Sequence, residues 1–232
     1  MTLPKLEVPT FELTLPSTKK KITFRPFLVK EHKTLLMMKD SSQEEISRIV
    51  EEIVNICTFN KLKKDTPNFD IEYIFTKIRA KSIGEKVDLV VTCNSCGHQN
   101  PFRLNLEEMN VQHNPDHKQK FMVNDTVGIE MKYPKFNLNL YDLIESGLDN
   151  YFKEILSCIK AIYTSDGKYF DITVDDKEEL DEFVSLMTSE QFEKIEEFFL
   201  TMPKLSHDIK LKCEKCSKDN VAKLEGLSNF FV

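Results

Sequence analysis

The stretch VTCNSCGHQNPF, residues 91–102, holds two cysteines three positions apart with a glycine directly after the second. The same cysteine spacing returns far along the chain in LKCEKCSKDNVA, residues 211–222. A tight turn that carries two thiolates is half of a tetrahedral zinc site, so two such turns predict one complete site. The candidate metal ligands are therefore Cys93, Cys96, Cys213 and Cys216, and the predicted cofactor is a structural Zn²⁺.

Both cysteine pairs share one sequence context, in which an alternating strand comes before the pair and a turn and a returning strand come after it. Residues 87–92 and 102–106 flank the first pair, and residues 209–212 and 221–224 flank the second. This pattern predicts two knuckles of a zinc-ribbon-like β unit. Because 116 residues separate Cys96 from Cys213, a folded insertion has to bring the two halves together.

Other interpretations of the cysteines remain open at this point, namely a redox pair or thiols without a metal. A redox Cys-x-x-Cys pair is typical of a helix N-terminus, whereas Gly97, Asn100 and Pro101 after the first pair favour no helix. His98 is an alternative ligand. His113 and His117 lie four apart, but Pro115 between them prevents the helix that would align them on a second metal.

The order of predicted elements indicates an α+β fold. An N-terminal hairpin over residues 11–27 is followed by helical patterns, and the middle of the chain reads as strands and hairpins. Residues 141–164 are predicted to continue as one helix, with one face formed by Tyr151, Ile155, Cys158, Ile159 and Ile162. Two further helices are expected before the second knuckle.

We expect four segments that pack as one compact unit. Residues 1–86 form the hairpin and helical region, and residues 87–138 form the first zinc knuckle and a β region. Residues 139–206 form a helical insertion, and residues 207–232 form the second knuckle with an apolar C-terminal tail. The tail ends in Phe230 and Phe231, which dock either on the protein itself or on a partner.

Composition narrows the class of protein. The chain has 232 residues, is 41% hydrophobic and carries a formal net charge of −6, so we expect no nucleic acid as partner. Prolines break the start of the chain and no apolar run reaches the length of a membrane helix, so we expect a cytoplasmic protein without a membrane partner. Cys57 and Cys158 lie on apolar stripes and are expected in the core.

No catalytic motif stands out. The chain has six glycines and lacks a phosphate-binding loop, a Gly-x-Ser-x-Gly elbow and a His-Glu-x-x-His helix. A zinc ion with four thiolate ligands has no open position for water or substrate, so the predicted metal stabilises rather than catalyses. We therefore expect a protein that is not an enzyme.

Three stretches of the chain resemble the T4-like bacteriophage baseplate hub family. They are LPKLEVPTFELTLPSTKKKITFRPFLVKEHKTLL at residues 3–36, FDIEYIFTKIRAKSIGE at residues 69–85 and LEGLSNFF at residues 224–231. The resemblance implies a hub subunit or hub assembly protein of a contractile tail, with other phage baseplate hub and tail proteins as partners. It implies location in the host cytoplasm during assembly, and in the virion tail baseplate if the protein is a built-in subunit.

The alternatives to a hub subunit are an assembly chaperone absent from the mature virion, a zinc-ribbon nucleic-acid-binding module and a thiol oxidoreductase. The first shares nearly every sequence feature with a subunit. The second requires a phosphate-binding surface, and the third requires a cysteine of low pKa.

Overall fold

The computed structural model of the protein describes residues 6–38, 41, 43–134, 148–173 and 175–226. Over these residues the chain has six α-helices and eleven short strands, and this mixed content confirms the α+β class. The helices are α1 (Val29–Met37), α2 (Gln43–Cys57), α3 (Asn68–Ser82), α4 (Leu148–Ser157), α5 (Lys177–Ser185) and α6 (Ser189–Thr201). The strands are β1 (Phe11–Thr14), β2 (Lys21–Phe24), β3 (Lys86–Thr92), β4 (Gln99–Asn105), β5 (Asn110–Gln112), β6 (Lys120–Met122), β7 (Val127–Met131), β8 (Ile159–Thr164), β9 (Tyr169–Asp171), β10 (Lys204–Lys212) and β11 (Asp219–Glu225).

The chain divides into two compact units. Unit 1 comprises Met1–Gln112 together with Lys204–Val232, and unit 2 comprises the stretch between them, His113–Pro203. Both cysteine pairs therefore belong to unit 1, although they lie far apart in sequence. The four segments expected from the sequence, with boundaries after residues 86, 138 and 206, remain a prediction.

In unit 1, the N-terminal hairpin is joined to helix α3 by a buried carboxylate. Strands β1 and β2 pair antiparallel, from Phe11 opposite Phe24 to Thr14 opposite Lys21. Asp70, which is fully buried near the start of α3, accepts hydrogen bonds from the backbone N–H of Ser17, at 3.0 Å, and from its hydroxyl. The hairpin turn thus satisfies a carboxylate that would be costly to bury without partners.

Helices α2 and α3 bury the apolar faces that their helical spacing predicts. Val50 and Val54 of α2 and Ile74 and Ile78 of α3 are fully buried. Cys57 is also fully buried at the end of α2, and burial raises the pKa of its thiol to about 11. The prediction that this cysteine is a core residue is confirmed.

Two antiparallel ribbons complete unit 1. Strands β3 and β4 pair from Lys86 opposite Asn105 to Thr92 opposite Gln99, and β10 pairs with β11 from Ser206 opposite Glu225. Strand β10 also pairs with β5 on its other side. Each ribbon ends at one of the two cysteine pairs, so the pairing of strands places the cysteines at ribbon tips.

Unit 2 contains the four-stranded antiparallel sheet β6-β7-β8-β9 and helices α4, α5 and α6. Its core contains Ile129 and Met131 of β7, Ile155 of α4 and Ile195 of α6, which are all buried. Helix α6 begins with a capping box, in which the Thr188 hydroxyl accepts from the N–H of Gln191. The side chain of Gln191 in turn accepts from the N–H of Thr188.

The prediction of one continuous helix through residue 164 is wrong. Helix α4 ends at Ser157, and Ile159–Thr164 form strand β8, which is bonded on both sides within the sheet. Its β-branched residues Ile159 and Ile162 suit a strand, and β8 pairs with β7 on one side and β9 on the other, which local spacing cannot reveal. Tyr151, Ile155, Cys158 and Ile159 are nevertheless buried.

Strands β4 and β5 follow each other closely but do not form one continuous strand. A 3₁₀ turn at Leu106–Glu108 separates β4 from β5, and the Asn105 side chain caps it by accepting from the N–H of Glu107 at 3.1 Å. The buried ammonium of Lys77 then donates to the carbonyl of Glu107 at 3.0 Å.

No helix among the described residues has both the length and the apolar character that crossing a membrane requires.

We predict that Glu72→Gln stabilises the protein increasingly as pH rises. Burial raises the pKa of Glu72 in α3 to about 8, with the hydrogen bond to Asn68 opposing and the Glu225 carboxylate reinforcing the rise. The stability contributed by the neutral carboxyl is complete below the unfolded-state pKa of 4.5 and is lost as pH rises towards 8. One pKa unit corresponds to about 1.4 kcal/mol. At pH 8.5 the free energy of unfolding of Glu72→Gln should therefore exceed that of the unchanged protein by roughly 2–4 kcal/mol.

Urea unfolding of both proteins between about pH 5.5 and 8.5 measures this difference. Glu51→Gln, at an exposed position of α2, is the matched control and should show no such trend. A difference between Glu72→Gln and the unchanged protein that stays constant over this range would refute the assignment.

Candidate metal centre

The structure brings the four predicted cysteines of unit 1 together. The Sγ atoms of Cys93, Cys96, Cys213 and Cys216 all lie within 4.8 Å of one another. Two of the pairs, Cys93–Cys216 and Cys96–Cys213, are 3.7 Å apart. A zinc tetrahedron with Zn–S bonds of about 2.3 Å has S–S edges of about 3.8 Å. The sulfur positions therefore fit a tetrahedral metal ion, and their geometry can bind one.

The first knuckle is a tight turn closed by backbone hydrogen bonds. The N–H of Cys93 donates to the carbonyl of His98 at 2.8 Å, and the N–H of Gly97 donates back to the carbonyl of Cys93 at 2.9 Å. Gly97 has φ of +69°, a left-handed conformation that glycine adopts without steric cost. The glycine after the second cysteine thus allows the tight turn that carries both sulfurs.

The second knuckle repeats this construction. The N–H of Cys213 donates to the carbonyl of Lys218 at 2.9 Å, and the N–H of Ser217 donates to the carbonyl of Cys213 at 2.9 Å. Ser217 occupies the left-handed position with φ of +59°. The two turns are therefore equivalent in backbone geometry, although a serine stands where the first turn has glycine.

Two buried asparagines join the knuckles to each other. The Oδ1 of Asn220, in the second ribbon, accepts from the N–H of Asn94 in the first knuckle at 3.1 Å. In the reciprocal contact, the Oδ1 of Asn100, in the first ribbon, accepts from the N–H of Glu214 in the second knuckle at 2.9 Å. Asn220 also donates to the carbonyl of Thr92 at 3.2 Å. The cysteine pairs are thus held together by hydrogen bonds as well as by any shared metal.

Sequence reasoning missed these asparagines, although a signal was present. Asn100 and Asn220 each lie seven positions after the first cysteine of their pair. The amide of Asn100 also donates to the carbonyls of Val91 and His98, both at 3.2 Å, which ties the turn to its own strand. The shared offset marks equivalent positions in two equivalent turns, so it could have identified the pair.

Backbone dipoles favour thiolates at two of the cysteines. The N–H groups of Cys216 and Lys215 donate to the sulfur of Cys213 and lower its pKa to about 6. In the first knuckle, the N–H of Ser95 lies 3.4 Å from the sulfur of Cys93 and lowers its pKa.

Cys96 shows why four thiols cannot all ionise unaided. The N–H of His98 lowers its pKa, but desolvation and the neighbouring sulfurs outweigh that hydrogen bond and raise the pKa to about 12. A cation at the centre would remove the repulsion among the sulfurs. The electrostatics therefore suit a site that is completed by a metal.

The histidines considered as ligands have other surroundings. Among the described residues, the group of potential ligand atoms consists of the four sulfurs, and His98 contributes its backbone carbonyl to the first turn. In unit 2, the His117 ring contacts the hydroxyl of Thr201 at 3.0 Å and that of Tyr133 at 3.2 Å. Burial and His113 lower the pKa of His117.

Comparison with known proteins supplies the family. The chain matches the family model described as "T4 bacteriophage base plate protein" over residues 8–232. The chain belongs to this family. The match spans nearly the whole chain and confirms the resemblance seen in the sequence, and it supports a structural role in the phage baseplate. Neither the curated proteins nor the solved structures contain a match.

We predict that Asn100→Ala and Asn220→Ala each destabilise this base plate protein by about 1–3 kcal/mol, because each leaves a backbone N–H of the opposite knuckle without its partner. Chemical denaturation followed by far-UV circular dichroism measures the loss. Asn94→Ala is the control, since its amide makes only an exposed 3.4 Å contact with the carbonyl of Val221. Equal stability of the Asn100→Ala and Asn220→Ala variants and the control would show that the hydrogen bonds between the two turns do not stabilise the protein.

Proposed function

We propose that this protein is a non-enzymatic structural or assembly protein of the contractile-tail baseplate hub, stabilised by one Zn²⁺ bound to Cys93, Cys96, Cys213 and Cys216. The convergence of four sulfurs within 4.8 Å carries the metal part of the proposal. The family match over residues 8–232 carries the baseplate part.

Zinc is the metal that the donor set favours. Four thiolates in a tetrahedron are typical of structural Zn²⁺ sites and leave no coordination position open. Such a site carries a net charge of −2, and four lysines close to it in sequence can moderate that charge: Lys210, Lys212, Lys215 and Lys218. The metal accordingly serves the fold, and the proposed function involves no reaction at this centre.

The position of the proposed zinc explains what it stabilises. Each sulfur pair sits at the tip of one ribbon, β3–β4 or β10–β11, and 116 residues connect the two pairs. A metal that binds both tips closes this long loop in the folded state and is absent from the unfolded chain. Metal binding is therefore coupled to the folding of unit 1.

We predict that removing zinc lowers the melting temperature by more than about 10 °C, because metal-binding free energy is lost from the folded state. Differential scanning calorimetry before and after chelation measures the shift, and metal analysis should find one zinc per chain. Cys216→Ser should reproduce the effect, whereas Cys57→Ala removes a buried thiol outside the cluster and is the control for zinc content. An unchanged melting curve after complete metal removal would rule out a structural metal.

Within the baseplate, we assign the protein to the hub. The hub-like stretches at residues 3–36, 69–85 and 224–231 support this assignment. The proposed partners are other hub and tail proteins, and assembly takes place in the host cytoplasm. A zinc-stabilised unit that lacks an open catalytic metal position suits a protein that acts by binding its neighbours.

A built-in subunit and an assembly chaperone differ in one measurable property. We predict that quantitative mass spectrometry of purified tails finds this chain at a fixed ratio to other baseplate proteins. Tails assembled without the gene should lack a complete hub, and a tail tube protein provides the internal standard. Complete hubs that contain none of this chain would favour the assembly chaperone over the built-in subunit. Normal hubs formed without the gene would exclude both roles.

A further inference from the structure

Unit 2 has an open groove between α4, α5 and α6 with a volume of about 670 Å³. Its apolar lining includes Phe152, Val184 and Phe192, and the rings of the two phenylalanines are 5.3 Å apart. Of its four charged lining residues, three are acidic and one is Lys153. We call this feature the acidic groove; its acidic lining residues are Asp181, Glu193 and Glu196.

The surroundings of the acidic groove strengthen its negative charge. Residues 177–201, which include α5 and α6, carry eight acidic and two basic side chains. A groove lined by apolar and acidic side chains suits an amphipathic helix that presents apolar side chains flanked by cations.

Helix α1 in unit 1 presents such a surface. Val29, Leu36 and Met37 are 85%, 69% and 74% exposed, and their positions i, i+7 and i+8 place them on one face. Lys33 lies on the same face and Lys30 lies beside it, both exposed. We call these five residues the α1 stripe.

Glu31, the acidic residue of α1, is buried. Its carboxylate pairs with the guanidinium of Arg25 at 2.9 Å and with the ammonium of Lys30 at 3.5 Å, so the positive charge available to a partner is mainly that of Lys33. The exposed surface of α1 thus combines apolar side chains with cations. Three large apolar side chains exposed on a nine-residue helix are unfavourable in water and are typical of a protein interface.

We propose that the protein self-associates head to tail, with the α1 stripe of one copy bound in the acidic groove of the next. Both surfaces belong to this chain, and they match in polarity and in charge. They also match in length, because the nine residues of α1 span about 13 Å and the ten residues of α4, one wall of the groove, span about 15 Å. Since the two surfaces differ, repeated contacts form a closed ring or an open chain of copies.

This inference does not depend on zinc binding or on the hub assignment, and its test measures the mass of the purified full-length protein. Sedimentation equilibrium should show a mass that rises with concentration. Leu36→Asp should weaken self-association more than about tenfold, because a charge replaces an apolar contact at the centre of the α1 stripe. Leu6→Asp, at a site that is 92% exposed outside α1, is the control and should leave association unchanged.

A charge exchange tests the pairing without disturbing the core. Lys33→Glu and Glu193→Lys should each weaken self-association several-fold at low salt, and the double variant should recover most of the loss. Lys64→Glu makes the same charge change at an exposed loop position and should have little effect. Far-UV circular dichroism and thermal melting confirm that each variant is folded.

Two results would overturn the proposal. One is a monomer mass at every concentration up to about 1 mM, which would mean that the α1 stripe does not bind a second copy of this chain. The other is self-association that neither Leu36→Asp nor the single charge reversals weaken, or that the double variant fails to recover, since copies would then meet through other surfaces.

Discussion

The proposed metal centre depends on the close approach of four sulfur atoms from two distant stretches of the chain. Like-charged thiolates within 4.8 Å of one another repel, and the raised pKa of Cys96 shows that the cluster resists full ionisation by itself. A divalent cation reverses that repulsion. The tips of the two ribbons can then stay together, and the long insertion between them is closed at its base.

Hydrogen bonds between the two turns support this centre. Both turns are closed by equivalent backbone hydrogen bonds, and the reciprocal contacts of Asn100 and Asn220 align one turn against the other. Because these amides are buried and hydrogen-bonded across the two turns, they constrain the distance between the ribbon tips independently of a metal. A metal bound by the four sulfurs would stabilise the same arrangement as the amides, in a chain that belongs to a baseplate protein family.

The sequence predicts features that depend on local spacing. It predicts secondary structure less well where pairing with distant strands determines it. Cysteine spacing identifies the four members of the sulfur cluster, and apolar periodicity identifies the buried faces of α2 and α3. The same periodicity wrongly extends α4 into β8, because Ile159 suits both a helix face and a strand until the neighbouring strands are known. The contacts of Asn100 cross more than a hundred residues, so only their equivalent offsets hinted at a role.

The most direct test of the account is X-ray absorption spectroscopy at the zinc edge on the purified protein. The account predicts one zinc per chain, with four sulfur neighbours at about 2.3 Å and no nitrogen or oxygen in the first coordination sphere. Bound zinc with fewer than four sulfur neighbours, or a correctly folded protein that contains no metal, would contradict it.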